Sequence, residues 1–231
     1  YSAFLPLSNH FLFTFFASML TIEDWGMIDY HDAWERQRHL QGRIQSGAKD
    51  STLVFCQHPS VITVGKAGSR DNILLPQTEW NKSGIEVVNV NRGGDVTLHN
   101  PGQLIGYTLF RLTDFQPDLH WFLREIESCI IETIAEYGLS GERIEGLTGV
   151  WLKQQRKICA IGIHCSRWVT AHGFALNVQN DLKEFSYIIP CGIHDKEVTS
   201  IHQECEKKSS SSVSLEDVQN ICTSRFIAHF L

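Results

Sequence analysis

The chain has 231 residues, 42% of them hydrophobic and 20% charged, which is enough for one large domain with a sizeable core. Its net charge of −6 argues against a broad nucleic-acid footprint, and 17 glycines with six prolines are too few for a fibrous or disordered chain. Seven cysteines without regular spacing argue against a disulfide framework and for reduced thiols in the cytoplasm, one of them a candidate nucleophile.

No charged residue occurs from Tyr1 to Ile22, and the run FLFTFFASML is mostly apolar. It lacks the basic region of a signal peptide, and Pro6, Ser8, Asn9 and His10 interrupt it short of a membrane span. Residues 1–21 are expected to be an extension with Met19 as the natural start, the alternatives being a peripheral anchor or an N-terminal strand. Residues 22–231 are expected to form one domain.

Residues 29–46 read as a helix, with Ala33, Trp34, Leu40 and Ile44 near one face and Gly47 as its stop. Residues 51–56 and 61–65 are β-rich runs split by the turn signal His58-Pro59. A further strand is expected at 85–91; Gly93-Gly94 breaks it, and a strand resumes at 103–112. Residues 117–137 read as a long helix, with Pro117 in its first turn, Gly138 past its end, and Phe122, Ile126, Ile130 and Ile134 on its core face. Residues 149–152 and 157–163 form an expected hairpin about Gln154-Gln155, followed by a strand at 168–178. The KKSSSSVS stretch is a linker by composition. Ser214 then caps a last helix whose stripe is Val218, Cys222, Phe226 and Phe230. The pattern is α+β, with a mixed, mostly antiparallel sheet flanked by helices.

Four constellations are candidates to carry chemistry. Arg92, Gly93, Gly94, Asp95, Val96, Thr97, Leu98 and His99 form a paired-glycine loop whose backbone can approach a ligand closely. Lys157 opens an apolar strand that includes Ala160, Ile161 and Gly162. Gly173, Phe174 and Ala175 belong to a strand of alternating small and large residues, where a substrate chain could lie close. Cys191, between Pro190 and Gly192, sits in a constrained turn suited to presenting a side chain. A rival pattern places Cys191 and His194, then His202 and Cys205, at zinc-like spacing.

Taken in series, HDAWERQRHL, LVFCQHPSVITVGK, RGGDVTLHNPGQLIGY, TGVWL, RKICAIGIHCSRWVTAHGFALNV and PCGIHDKEVTSI resemble the octanoyltransferases of lipoate biosynthesis over about 180 residues. That resemblance implies the biotin/lipoate protein ligase catalytic fold. It implies Cys191 as acyl-accepting nucleophile, Lys157 as its partner, and residues 92–99, 160–162 and 173–175 as the acyl-site lining. It further implies octanoyl-acyl carrier protein as donor and no cofactor. The acceptors would be lipoyl domains of 2-oxoacid dehydrogenase complexes or the glycine cleavage H protein. No nucleic-acid partner is expected, and a monomer is the default. Leu98 and Asn100 depart from the family's usual Tyr and Gly, and are expected to alter pocket shape or chain-length preference. Three rivals remain: an ATP-dependent ligase of the same fold, a Cys-His hydrolase with His172 or His99 as base, and a zinc-stabilised binding module.

Overall fold

A computed structural model describes residues 20–193, 195–207 and 213–231, with the side chains of Asn81 and Cys191 outside that description. The expectations for the 1–19 segment, His194 and most of the serine-rich linker therefore fall outside the described residues.

In chain order the elements are β1 (Thr21–Met27), α1 (Tyr30–Gln45), β2 (Thr52–Gln57), β3 (Val61–Val64), α2 (Gln77–Ser83), β4 (Glu86–Asn89), β5 (Val96–His99) and β6 (Gln103–Leu109). There follow α3 (Leu119–Ala135), β7 (Gly141–Ile144), β8 (Leu147–Leu152), β9 (Arg156–Ser166), β10 (Val169–Asn177), β11 (Glu197–Val198), α4 (Ile201–Glu206) and α5 (Leu215–Phe230). The α+β expectation holds, but the strands make two sheets. The larger has eight strands in the order β1-β2-β6-β10-β9-β8-β7, with β11 paired to β9; the smaller runs β4-β3-β5. Among the described residues parallel pairing is confined to β1–β2, β9–β11 and β3–β4.

The helices follow from local chemistry. Asp29 caps α1 by accepting from the amides of His31 at 2.8 Å and Asp32 at 3.4 Å. Tyr30, Ala33, Gln37, Leu40 and Ile44 are buried at helical spacing, and that face lies against β6 and β10. The long helix begins at Leu119 because the Asp118 carboxylate accepts from His120 N and Trp121 N at 2.8 and 3.1 Å. Pro117 therefore stands just outside the helix, not in its first turn. Ser214 caps α5 through a 3.2 Å bond from Asp217 N, and Val218, Cys222, Phe226 and Phe230 are its buried stripe, as expected.

Helices α3 and α5 pack together on the opposite side of the main sheet from α1. Phe110, Phe122, Phe226 and Phe230 meet there with ring centroids 5.0–6.4 Å apart. Such pairs contribute about 0.5–1.5 kcal/mol each beyond the area they bury. Among the described residues no helix is long and apolar enough to cross a membrane.

Candidate active site

The site grows from the register of β6, β9 and β10. Ala160 on β9 pairs with Ala175 on β10, which pairs with Ile105 on β6; Gly162 pairs with Gly173, which pairs with Tyr107. Side chains alternate between the faces of a sheet, so Ala160, Gly162, Gly173 and Ala175 leave a strip almost bare on one face. Above it lies the glycine loop, which crosses from the smaller sheet and donates from Gly93 N to the carbonyl of Ile163 at 3.0 Å. Gly162 must be glycine for this approach, because a Cβ there would lie 2.8 Å from the Gly93 carbonyl oxygen.

Between strip and loop is a narrow cavity, with about 60 Å³ open to the centre of a water-sized sphere. Residues 92–97, His99, 160–162 and 173–175 border it, so most of the sequence-predicted lining is brought together. Phe174 borders it but sends its ring to the other face, where it stacks on Phe226 with centroids 5.6 Å apart. Leu98 is not brought to the cavity. It is buried in the core of the smaller sheet with Ile62, Ile85 and Phe185. Asn100 also stands apart: its amide donates to the Asp181 carbonyl and to Glu184, each at 2.8 Å, and it accepts from Asn180 at 2.9 Å.

Four further residues border the cavity that the motif reading left out of its lining: Tyr30, Ile105, Tyr107 and His172. The Tyr107 hydroxyl and one ring nitrogen each of His172 and His99 are engaged within the protein. His58 Nδ1 donates to the Ile28 carbonyl at 2.7 Å, leaving Nε2 to accept from the Tyr107 hydroxyl at 2.6 Å. His99 Nδ1 lies 2.8 Å from Gln103 Oε1, and His172 Nε2 lies 2.7 Å from Asn91 Oδ1. Burial pushes both imidazoles down to about 3, helped by neighbouring His58 for His99 and by Arg92 for His172. They are neutral at physiological pH and poor proton acceptors. Arg92 holds the loop to β3, donating from Nη2 to the Thr63 carbonyl and hydroxyl at 2.8 Å each and from Nη1 to the Gly93 carbonyl at 3.0 Å. What remains for a ligand is a slim, largely apolar slot that suits an unbranched acyl tail.

Lys157 is buried at the start of β9, with its ammonium 4.5 Å from the centroid of Trp151 on β8. It shares a small recess with Pro190, Thr97, Ala160 and Ala175, and the last three also border the cavity. The fold thus brings Lys157, the acyl-sized slot and the Pro190–Gly192 turn to one place, although the Cys191 side chain lies outside the described ones. Cys159, two residues from Lys157, faces the aromatic core instead, where burial holds its thiol well above the ordinary range. Of the zinc pattern, Cys205 is buried while His202 pairs with Glu206 at 3.1 Å on the surface. Among the described residues no three His, Cys, Asp or Glu side chains are placed to hold a metal ion.

The profile of the lipoyl protein ligase A/B catalytic domain matches residues 29–227. An octanoyltransferase of Cytophaga hutchinsonii is 43% identical over 227 residues, covering 90% of this chain and 91% of its own length. One from Solibacter usitatus is 47% identical over 176 residues, covering 76% and 79%. Among solved structures, the bipartite lipoate protein ligase of Thermoplasma acidophilum superposes with a TM-score of 0.69 at 16% identity, over 90% of this chain and 82% of its own. A lipoate-protein ligase A bound with ATP gives 0.67 at 15% identity, over 91% and 84%. Those two likenesses show the shared fold, and the sequence relatives show the family. The chain belongs to the lipoyl protein ligase A/B catalytic-domain family, stands among its octanoyltransferases, and is an acyltransferase.

Proposed function

We propose that the chain moves an octanoyl group from octanoyl-acyl carrier protein to the lysine of a lipoyl domain through a thioester on Cys191. The observation that carries this reading is the recess shared by Lys157 and Pro190, which adjoins an acyl-sized slot. A free thiol has a pKa of about 8.5, and a neighbouring ammonium favours its thiolate. The Cys191 thiolate attacks the donor's thioester carbonyl; a new C–S bond forms as the carrier's C–S bond breaks, and the leaving carrier thiolate takes its proton from the Lys157 ammonium. The acceptor lysine, once deprotonated, attacks the acyl-enzyme; the C–N bond forms and Cys191 leaves as thiolate. Lys157 serves first as the ammonium beside the thiolate and then, in its neutral form, as acceptor of the incoming amine's proton. An amide is more stable than a thioester, so no ATP is consumed.

The acceptors in this reading are lipoyl domains of 2-oxoacid dehydrogenase complexes or the glycine cleavage H protein. A cytoplasmic setting is part of it, supported by the free thiols of Cys56, Cys129, Cys159, Cys165 and Cys222. Intact-mass measurement after mixing with octanoyl carrier protein tests the mechanism. One octanoyl unit should appear on the wild type, be absent from Cys191→Ala, and discharge onto an added lipoyl domain. Removing the nucleophile should cost about a thousandfold or more in transfer rate. Acylation of a lipoyl domain from octanoate and ATP without any carrier would replace this reading with a ligase.

A further inference from the structure

Among the described residues the Pro190–Gly192 turn shows two internal hydrogen bonds, Gly192 N to the Ile189 carbonyl at 3.0 Å and Ile193 N to the Pro190 carbonyl at 3.1 Å. So short a turn needs external support to keep one orientation. That support comes from the segment 69–75. Ile189 N donates to the Asn72 carbonyl at 2.8 Å, Leu74 N donates to the Tyr187 carbonyl at 2.8 Å, and Ile73 bridges Ile188.

The supporting segment is in turn fastened to the glycine loop through one side chain. Asp95 Oδ1 accepts from Ser69 N at 3.1 Å and Val96 N at 2.7 Å, while Oδ2 accepts from Asn72 Nδ2 at 2.6 Å. Gly192 completes the contact. Its φ is +66°, a conformation few side-chain-bearing residues adopt, and a Cβ there would lie 2.6 Å from Asp95 Oδ2. The carboxylate has committed three of its roughly four acceptor sites to this junction. An acyl tail has no hydrogen-bond donor to offer it.

We propose that Asp95 and Asn72 are positioning residues: they clamp the Pro190–Gly192 turn to the glycine loop, fixing Cys191 relative to the wall of the acyl slot. The functional part of this proposal rests on Cys191 being the acyl acceptor, while the clamp itself is a matter of backbone order. Charge-assisted hydrogen bonds of this kind are strong enough that losing one should release the turn by about tenfold or more.

Peptide-resolved hydrogen exchange, paired with single-turnover acyl loading, tests it. Asn72→Ala should speed exchange across residues 189–193 by about tenfold and slow loading of Cys191 by a similar factor. KM for the carrier should change little, and the thermal midpoint should stay within a few degrees. Asp95→Asn keeps the size and one acceptor oxygen, so it should give an intermediate effect at the same amides; it also provides the readout if Asn72→Ala does not fold. Unchanged exchange at 189–193 in both variants, or exchange raised equally throughout the molecule, overturns the clamp. Loading that persists in Cys191→Ala would instead overturn the acyl-acceptor reading, and the exchange result would still decide the clamp.

Discussion

Strands β9 and β10 present two very different faces. Toward α3 and α5 they send Cys159, Ile163, Phe174 and Leu176 into the aromatic core; toward α1 and the glycine loop they present Ala160, Gly162, Gly173 and Ala175. The same backbone thus stores packing energy on one side and withholds side chains on the other. Empty space beside a sheet is costly unless something fills it, since uncompensated cavities destabilise by about 24 cal/mol per Å³. The bare strip is tolerable because the opposite face is densely packed and the glycine loop is tied down by Arg92. Stability and ligand space are divided between the faces rather than traded at one site.

The division predicts different outcomes for substitutions a few ångströms apart. The largest stability loss should follow Phe226→Ala, which removes a fully buried ring from the packed face. Thermal unfolding should show about 3–5 kcal/mol of destabilisation, with the transfer rate per folded molecule retained. A collapse of activity without a fall in stability would break the comparison. Leu98→Tyr restores the family's usual residue inside the core of the smaller sheet. Overpacking there should cost about 1–3 kcal/mol and leave chain-length preference unchanged; a shifted preference would mean that this core communicates with the slot.

Ala160→Leu fills the bare strip. Displacing the last two carbons of an octanoyl chain forfeits about 1.6 kcal/mol, so kcat/KM for octanoyl over hexanoyl donors should fall by roughly fifteenfold while the thermal midpoint hardly moves.

The smallest effect concerns His229 on α5, which lies 2.7 Å from Glu125 and 3.0 Å from Glu132 on α3. Partial burial opposes its charge, but hydrogen bonds to both carboxylates outweigh it and raise its pKa. A raised folded value gives stability that is complete below the ordinary histidine value near 6.5 and is lost as pH rises through the higher folded value. Wild type should therefore exceed His229→Gln by about 0.5–1 kcal/mol at pH 6 and lose that margin in alkaline buffer, as read by denaturant titration.

Local rules determined much of this molecule. Asp29 before an amphipathic run, Ser214 before the Val218–Phe230 stripe, and the Gln154-Gln155 turn between two apolar runs each specify their element through neighbours within a few residues. The segments of the proposed site were legible as candidates, because glycines in a loop and a cysteine between proline and glycine are written in consecutive residues. Tertiary structure decided what lay beyond that range. Val96–His99 became a strand because it found β3 in the smaller sheet, and Leu98 went to that sheet's core rather than to the slot. Tyr30, Ile105, Tyr107 and His172 joined the site only through helix docking and strand register. A period-two alternation says which residues share a face, whereas only the pairing of Tyr107 with Gly173 and Ile105 with Ala175 says which face holds the cavity. The bond between Asp95 and Asn72 likewise spans 23 positions, and no local pattern could have announced it.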